Sequence, residues 1–391
     1  MLLATPMLTR LYTPEDFGLL AVYASLLSIF SVIACFRYNI AIPIPSKDTD
    51  GFALLIISLI AAAIVSFLVG LPILLAPSAS ASLIGQPELA PLLWMLPISV
   101  FLAGSYDALQ HWAFREKRFW SVTFTRITRA TTGAGAQIGI GAVSPSPFGL
   151  IFGHMIFSGA GLVGLCIDLM RKDRRLIRSF KLKASFASAK EQYRFPVFSV
   201  PEALMNTISA ELPIILIAAI ALGQEAGFLM LAMRVIGLPM ALIGSSVSQA
   251  YLSEARHKLA NGSLESFTRS TMWTLGRIGI FPFAFMGLVS PFVFPVLFGE
   301  SWLSAGYLVV WMVPWFFLQF MASPVSMVLH VLQKQLWAAV LQALGLFIRL
   351  GMVWISGERC PEYIAEAFAL SGAIFYGIYI SVILAILRRI P

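Results

Sequence analysis

The stretch "MLTRLYTPEDFGLLA", residues 7–21, places a charged, proline-containing turn at the head of a very apolar chain. Ahead of Arg10 lies only "MLLATPMLT", whereas a helix that crosses a bilayer needs ~20 apolar residues. Beyond the turn, apolar stretches fall at 16–44, 51–76, 88–112, 119–143, 148–169, 196–222, 226–252, 270–298, 303–330, 335–356 and 363–387. Each is long enough to cross as an α-helix, and their continuity excludes the short alternating strands of a β-barrel. The expectation is an all-α polytopic membrane protein with about eleven full spans and an apolar remnant before Arg10.

Composition agrees. The chain has 391 residues, 59% hydrophobic and 12% charged, against about 25% charged in a soluble domain. Of its 22 prolines and 29 glycines, many occur within apolar stretches, where membrane helices tolerate them. Cys35, Cys166 and Cys360 show neither a disulfide framework nor metal-ligand spacing. The opening lacks the charged n-region and long h-region of a secretory signal. No phosphate loop, zinc site or nucleophile triad is visible, so no cofactor or metal is expected.

The net charge of +8 is distributed by side. One set of loops holds Lys47, then Arg115, Lys117 and Arg118, then "RKDRRLIRSFKLKASFASAKEQYR". The same side holds Arg256, Lys258, Arg269, Lys334, Arg388 and Arg389. The alternate loops "APSASASLIGQPELAP", "AVSPSPFG", "ALGQEAG" and "FGESWLSAG" hold no Lys or Arg, and only Arg10 and Arg359 lie on that second side. Positive loops face the cytoplasm, so the C-terminus is expected there. The basic 171–194 run reads as a topological anchor near anionic lipid rather than a nucleic-acid site.

That run also divides the chain into an N-terminal bundle (1–170), a basic linker (171–195) and a C-terminal bundle (196–391). A faint repeat relates the halves: "PEDFGLLAVYASLLSIF" (14–30) resembles "GQEAGFLMLAMRVIGLP" (223–239), with Gly18 and Gly227 at matching helix entries. Parallel repeats of this kind are a common transporter plan.

At this point a family resemblance becomes visible. "LTRLYTPEDFG" followed by "SVIACFRYNIAIPIPSKD" resembles the opening of the polysaccharide-biosynthesis or O-antigen (lipopolysaccharide) flippase family. That family belongs to the multidrug/oligosaccharidyl-lipid/polysaccharide exporter superfamily. "FPVFSVPEALMNTISAELPIILI" and "AGFLMLAMRVIGLPMALIGSSVSQAYLSEA" agree. The resemblance implies two six-helix bundles around a central cavity, in the bacterial inner membrane. It implies movement of undecaprenyl-pyrophosphate-linked oligosaccharide between leaflets by alternating access, without enzymatic chemistry. Implied partners are the lipid-linked oligosaccharide, the bilayer, and the polymerase and glycosyltransferases of the same pathway, for a monomeric carrier. Family sequences carry a helix before the "TRLYTPEDFG" turn, so the first span here is expected to be largely missing, through a late start or a shortened gene.

Six charged residues within the apolar stretches are arginines: Arg37, Arg126, Arg129, Arg234, Arg277 and Arg349. Charge inside a membrane usually faces a cavity or a partner, and arginine's planar fork suits phosphate. Arg37, Arg126, Arg129, Arg234 and Arg277 are the candidates for holding pyrophosphate; Arg349 is left unplaced. For Arg126, Arg129 and Arg277, snorkelling to the surface is an equal alternative. Thr125, Arg126, Arg129, Thr132 and Gln137 recur near the helical period, with Gly133 and Ala136 alongside.

Glu202 and Glu211 lie in the 196–222 stretch. Nine residues apart, they point in nearly opposite directions on an ideal helix, although Pro201 and Pro213 permit a kink. Either carboxylate is a candidate to couple transport to protons. A salt bridge to an arginine is the favoured alternative. Asp107 is expected to be solvated near a helix end, and the four histidines to be incidental. Trp112, Trp120, Trp302, Trp337 and Trp354 are read as an aromatic belt.

Competing readings are a cation-coupled multidrug antiporter of the same superfamily, an inactive truncated remnant, and a polytopic glycosyltransferase. The arginine excess argues against cationic drugs. The short outer loops argue against the glycosyltransferase.

Overall fold

A computed structural model of the chain describes residues 2–179, 188–221, 224–332 and 334–388. Residues 180–187 of the basic linker, with Lys181 and Lys183, lie outside the described residues, as do Arg389 and the side chain of Arg256. Among the described residues the chain is helical and has no strand. Among the same residues eight helices are long and apolar enough to cross a membrane, which makes this a multi-pass membrane protein.

In chain order the α-helices are α1 (Thr5–Leu11), α2 (Pro14–Ala34), α3 (Tyr38–Ala41), α4 (Asp48–Leu75), α5 (Pro77–Leu83) and α6 (Met95–Arg115). Next come α7 (Phe119–Val143), α8 (Pro147–Lys172), α9 (Arg174–Ser179), α10 (Val200–Ile220), α11 (Gln224–Ile236) and α12 (Leu238–Ala260). The last are α13 (Leu264–Phe298), α14 (Leu303–Ala322), α15 (Val328–Val331), α16 (Gln335–Arg359) and α17 (Ile364–Leu387). Backbone contacts divide them into two compact units, Met1–Ala219 and Ile220–Pro391.

Eight of the eleven expected stretches contain a span candidate, the 303–330 one only as far as Ala322, and three do not. The 88–112 and 119–143 stretches form α6 and α7, which are long enough but interrupted by polar residues from Ser105 to Gln110 and by Thr125 to Thr132. The 226–252 stretch is two helices, α11 and α12, parted at Gly237 just ahead of Pro239. The expected 16–44 helix also breaks. It stops at Ala34, and Phe36 and Arg37 take left-handed backbone at φ 46° and 61° before α3 begins.

The opening turn is built as its residues dictate. Thr13 accepts from the Asp16 amide at 3.3 Å, and Asp16 accepts from the Thr13 amide at 2.9 Å, a reciprocal capping box with Pro14 at the first helical position. Tyr12, just before it, donates its hydroxyl to the Gln137 carbonyl at 2.7 Å. Its ring fills a notch where a Cβ on Gly141 would come within 2.7 Å of it. Burial, with the Asp16 charge adding, pushes the Tyr12 phenol up to about 12, so it remains a donor.

At the other end of the first unit, helix ends are tied by ion pairs. Arg118, leading into α7, makes two hydrogen bonds to Asp173 beyond α8, at 2.6 and 2.8 Å. Trp112 of α6 donates to the same carboxylate at 3.0 Å. Arg115 pairs with Asp48 at 3.0 Å, joining α6 to the start of α4. Burial opposes the Arg118 charge, but Asp173 more than offsets this and its pKa is raised. From Arg118 to Gln137 along α7 is about 28 Å, so the opening turn and the basic loops occupy opposite ends of this unit.

Small residues set the spacing between helices. Gly104 of α6 meets Ala34 and Ala62, and Gly153 of α8 sits directly against Gln137 and the Gly133 carbonyl of α7. Only small residues allow backbones this close. In the second unit α14 lies against α11, α13 and α17. Gly306 of α14 packs on the Ser290 carbonyl, and Gly372 of α17 faces the Trp315 ring.

The expected aromatic belt holds only in part. Trp120, Trp337 and Trp354 are exposed. Trp112 and Trp302 are fully buried, against Phe52 and Phe228 respectively. Asp107 is not simply solvated: it accepts from Asn39 of α3 and faces His111 one turn along.

Candidate functional site

The first unit carries one carboxylate deep in an apolar helix, Glu211 of α10. Its Oε2 accepts from Ser25 at 2.7 Å, and Ser28, one turn further along α2, is a second donor. Ser25 and Ser28 stand three positions apart, so both reach the same side of α2. The expected salt bridge is not what Glu211 makes, because the neighbouring face of α2 offers hydroxyls and no cation. Glu202, near the start of α10, is exposed. The nine-residue offset does separate the two carboxylates as helical geometry requires.

The polar stripe of α7 splits into two faces. Thr125, Gly133 and Gln137 are buried, and Gln137 donates to the Leu150 carbonyl of α8 at 2.9 Å. Arg126 and Thr132 are exposed. Arg129 lies between: its Nε donates to the Phe157 carbonyl at 2.7 Å, and its guanidinium carbon sits 3.9 Å from the Tyr106 ring centre and 4.6 Å from that of Phe157. Aromatic faces attract a cation electrostatically, by up to ~2 kcal/mol when water is excluded. Arg126 reaches Gln110 at 3.3 Å and lies 5.8 Å over Phe114. Tyr106, Gln110 and Phe114 follow at four-residue steps on α6, so one face of α6 holds both arginines of α7.

Arg37 stands apart at the left-handed break after α2, half-buried, and its Nε has no hydrogen-bond partner. Buried donors usually find partners, and this one is presented by strained backbone.

In the second unit, Arg234 of α11 is half-buried and makes no ion pair with a described residue. Arg277 of α13 is exposed, 5.2 Å over Trp273. Arg349 of α16 lies between rings, 5.4 Å from the centres of both Trp315 and Phe375, and bonds Tyr376. Arg115, Arg118, Lys172 and His111 are among the residues that make ion pairs. Arg37, Arg126, Arg129, Arg234 and Arg277 have no described carboxylate within ion-pairing distance. Nor do the described residues include a cluster of three or more His, Cys, Asp or Glu that could hold a metal.

Sequence reasoning missed the partners rather than the charges. Ser25 and Ser28 are unremarkable in an apolar run, and Tyr106 and Phe157 are two aromatics among many.

A two-unit helical membrane protein with arginines that lack carboxylate partners and a sheltered carboxylate held by a serine hydroxyl has the make-up of a polytopic transporter. Similar folds occur in an inward-facing multidrug-resistance MATE family transporter of the MOP superfamily (TM-score 0.67, 14% identity, covering 99% of this chain and 94% of that one). The lipid II flippase MurJ in an inward closed conformation is also similar (TM-score 0.63, 13% identity, 97% and 84%). So is a variant of the Vibrio cholerae MATE transporter VcmN (TM-score 0.55, 10% identity, 99% and 92%). At these identities the likeness establishes the fold alone. No curated protein matches the sequence. Residues 7–306 match the polysaccharide biosynthesis protein family, and the chain belongs to it.

Proposed function

We propose that this protein is a flippase for an undecaprenyl-pyrophosphate-linked oligosaccharide, the repeat unit of O-antigen or a related surface polysaccharide. It works in the bacterial inner membrane by alternating access, with its basic loops and C-terminus in the cytoplasm. It performs no covalent chemistry, requires no cofactor, acts as a monomer and hands its cargo to the polymerase of the pathway that the glycosyltransferases supply.

The supporting observation is the set of arginines without carboxylate partners. A cation held in low dielectric without a counter-charge is costly, and an anionic ligand with fork-compatible oxygens removes that cost. A pyrophosphate has such oxygens, whereas a cationic drug would be repelled. The family match points to polysaccharide biosynthesis, and the name of the MurJ neighbour states a lipid cargo for that protein. Of the two coupling candidates, the reading assigns Glu211, because it is sheltered, bonded by hydroxyls and free to exchange a proton without breaking an ion pair. Glu202 is the outward-lying second.

The test is reconstitution. Proteoliposomes containing the purified protein and a fluorescent undecaprenyl-pyrophosphate oligosaccharide should move the glycan between leaflets, read by its accessibility to an added glycosidase. Arg37→Ala or Arg234→Ala should slow this at least tenfold. Wild-type vesicles that flip no faster than empty ones, or that export a cationic dye instead, would overturn the reading.

A further inference from the structure

The second unit has a groove of about 630 Å³ where the start of α13 meets α14 and the end of α17. Its rim is polar, with Ser266, Arg269 and Ser270, and its floor is apolar, with Met272, Met321 and Leu384. Gly276 makes the floor possible, since a Cβ there would stand 3.2 Å from the Met321 methyl. The volume lies in the range of sites that hold small ligands.

Depth in the bilayer says which ligand. α13 has 35 residues and is about 52 Å long, well beyond a ~30 Å hydrocarbon core. Arg269 lies 29 residues from the far end at Phe298, about 44 Å away, farther than the hydrocarbon core is thick, so both cannot lie within it. On α17, Ile380 and Leu384 line the groove, and Arg388, one turn beyond Leu384 with helical backbone, extends the same face. Neither arginine makes an ion pair with a described residue. Trp273 of the same wall is exposed, as interfacial tryptophans are.

We propose that this groove is a site for one anionic phospholipid. Its phosphodiester meets Arg269 and Arg388 with the serine hydroxyls as further donors, and the first part of an acyl chain follows the Met272, Met321 and Leu384 floor. Bound there, the lipid would tie the basic end of the second unit to the anionic leaflet.

Native mass spectrometry of the full-length protein in mild detergent tests this, with dioleoyl-phosphatidylglycerol and dioleoyl-phosphatidylcholine as probes. The first phosphatidylglycerol adduct should bind at least fivefold tighter than the first phosphatidylcholine adduct, about fivefold being the contribution of one interfacial arginine. Arg269→Gln with Arg388→Gln should erase that preference, and Ser270→Trp should remove the first adduct by filling the groove. All three positions are exposed, so the variants should retain the wild-type melting profile. Equal binding of the two lipids, a preference that survives the arginine substitutions, or a first adduct that survives Ser270→Trp would each overturn the proposal. Displacement of phosphatidylglycerol by undecaprenyl phosphate would also overturn it, by assigning the groove to the cargo.

Discussion

Ser25 Oγ lies 2.7 Å from Glu211 Oε2, joining α2 to α10 across 186 positions of sequence. A hydroxyl donates to a carboxylate and equally accepts from a carboxylic acid, so this contact survives protonation, which a salt bridge would not. That makes Glu211 suited to take up and release a proton without unlatching the helices. Glu211→Gln should therefore keep the protein folded and able to bind cargo while removing acceleration of flipping by an imposed pH gradient. Ser25→Ala should weaken that acceleration severalfold. A Gln variant that still responds fully to the gradient would place coupling elsewhere.

Arg37 permits charge to be separated from fold. Its φ of 61° costs a non-glycine residue roughly 1 kcal/mol, which glycine avoids. Arg37→Gly should thus raise thermal stability slightly while abolishing glycan flipping. Arg37→Lys should keep the charge, lose the planar fork and retain partial activity. Transport equal to wild type in the glycine variant would rule Arg37 out as a cargo ligand.

The helical plan was readable because bilayer-length apolar runs punctuated by one-sided charge admit few alternatives. The breaks were readable only where local chemistry announces them. Gly237 and Pro239 announce the one between α11 and α12. The break at Phe36 and Arg37 has no such marker, since neither residue favours left-handed backbone. It is accompanied by contacts distant in sequence, the Cys35 thiol on the Gly104 carbonyl and Asn39 on Asp107. For the same reason the sequence located charges but not their neighbours: Arg129 is visible in the one-dimensional pattern, and its Tyr106 and Phe157 walls are not. The opposed directions of Glu202 and Glu211 follow from helical period alone, whereas the serines facing Glu211 do not.

The notch around Tyr12 makes the opening turn testable as a structural part. A Cβ at Gly149 would fall on the Tyr12 hydroxyl and within 2.9 Å of the Ile140 side chain, so Gly149→Ala should cost about 1–3 kcal/mol by overpacking. Tyr12→Phe should cost about 1 kcal/mol for the lost bond to the Gln137 carbonyl. Because Gly149→Ala and Tyr12→Leu act on one contact, the double variant should be less destabilised than the sum of those two single variants. Thermal melts of the four proteins in detergent check the cycle, and strict additivity would contradict the packing.

Glu116, at the end of α6, illustrates how the basic end responds to pH. It lies 3.8 Å from Arg118, yet Arg118 directs its two short bonds to Asp173. Burial, and then the Asp173 charge, raise the Glu116 pKa above the usual carboxylate value despite the arginine. A carboxyl whose folded pKa is raised contributes fully below its unfolded pKa and loses that contribution as pH climbs through the folded one. At neutral pH the ionised side chain therefore works against folding. Glu116→Gln should melt about 1–2 °C higher than wild type at pH 7.5, the scale expected for a sub-kilocalorie gain in a chain of this length. The two curves should converge as pH falls below the ordinary carboxylate range, where the side chain is protonated in both the folded and the unfolded chain. Tryptophan-fluorescence melts across that range give the comparison. A substitution that lowers the melting temperature at pH 7.5 would show instead that the 3.8 Å pair with Arg118 outweighs burial.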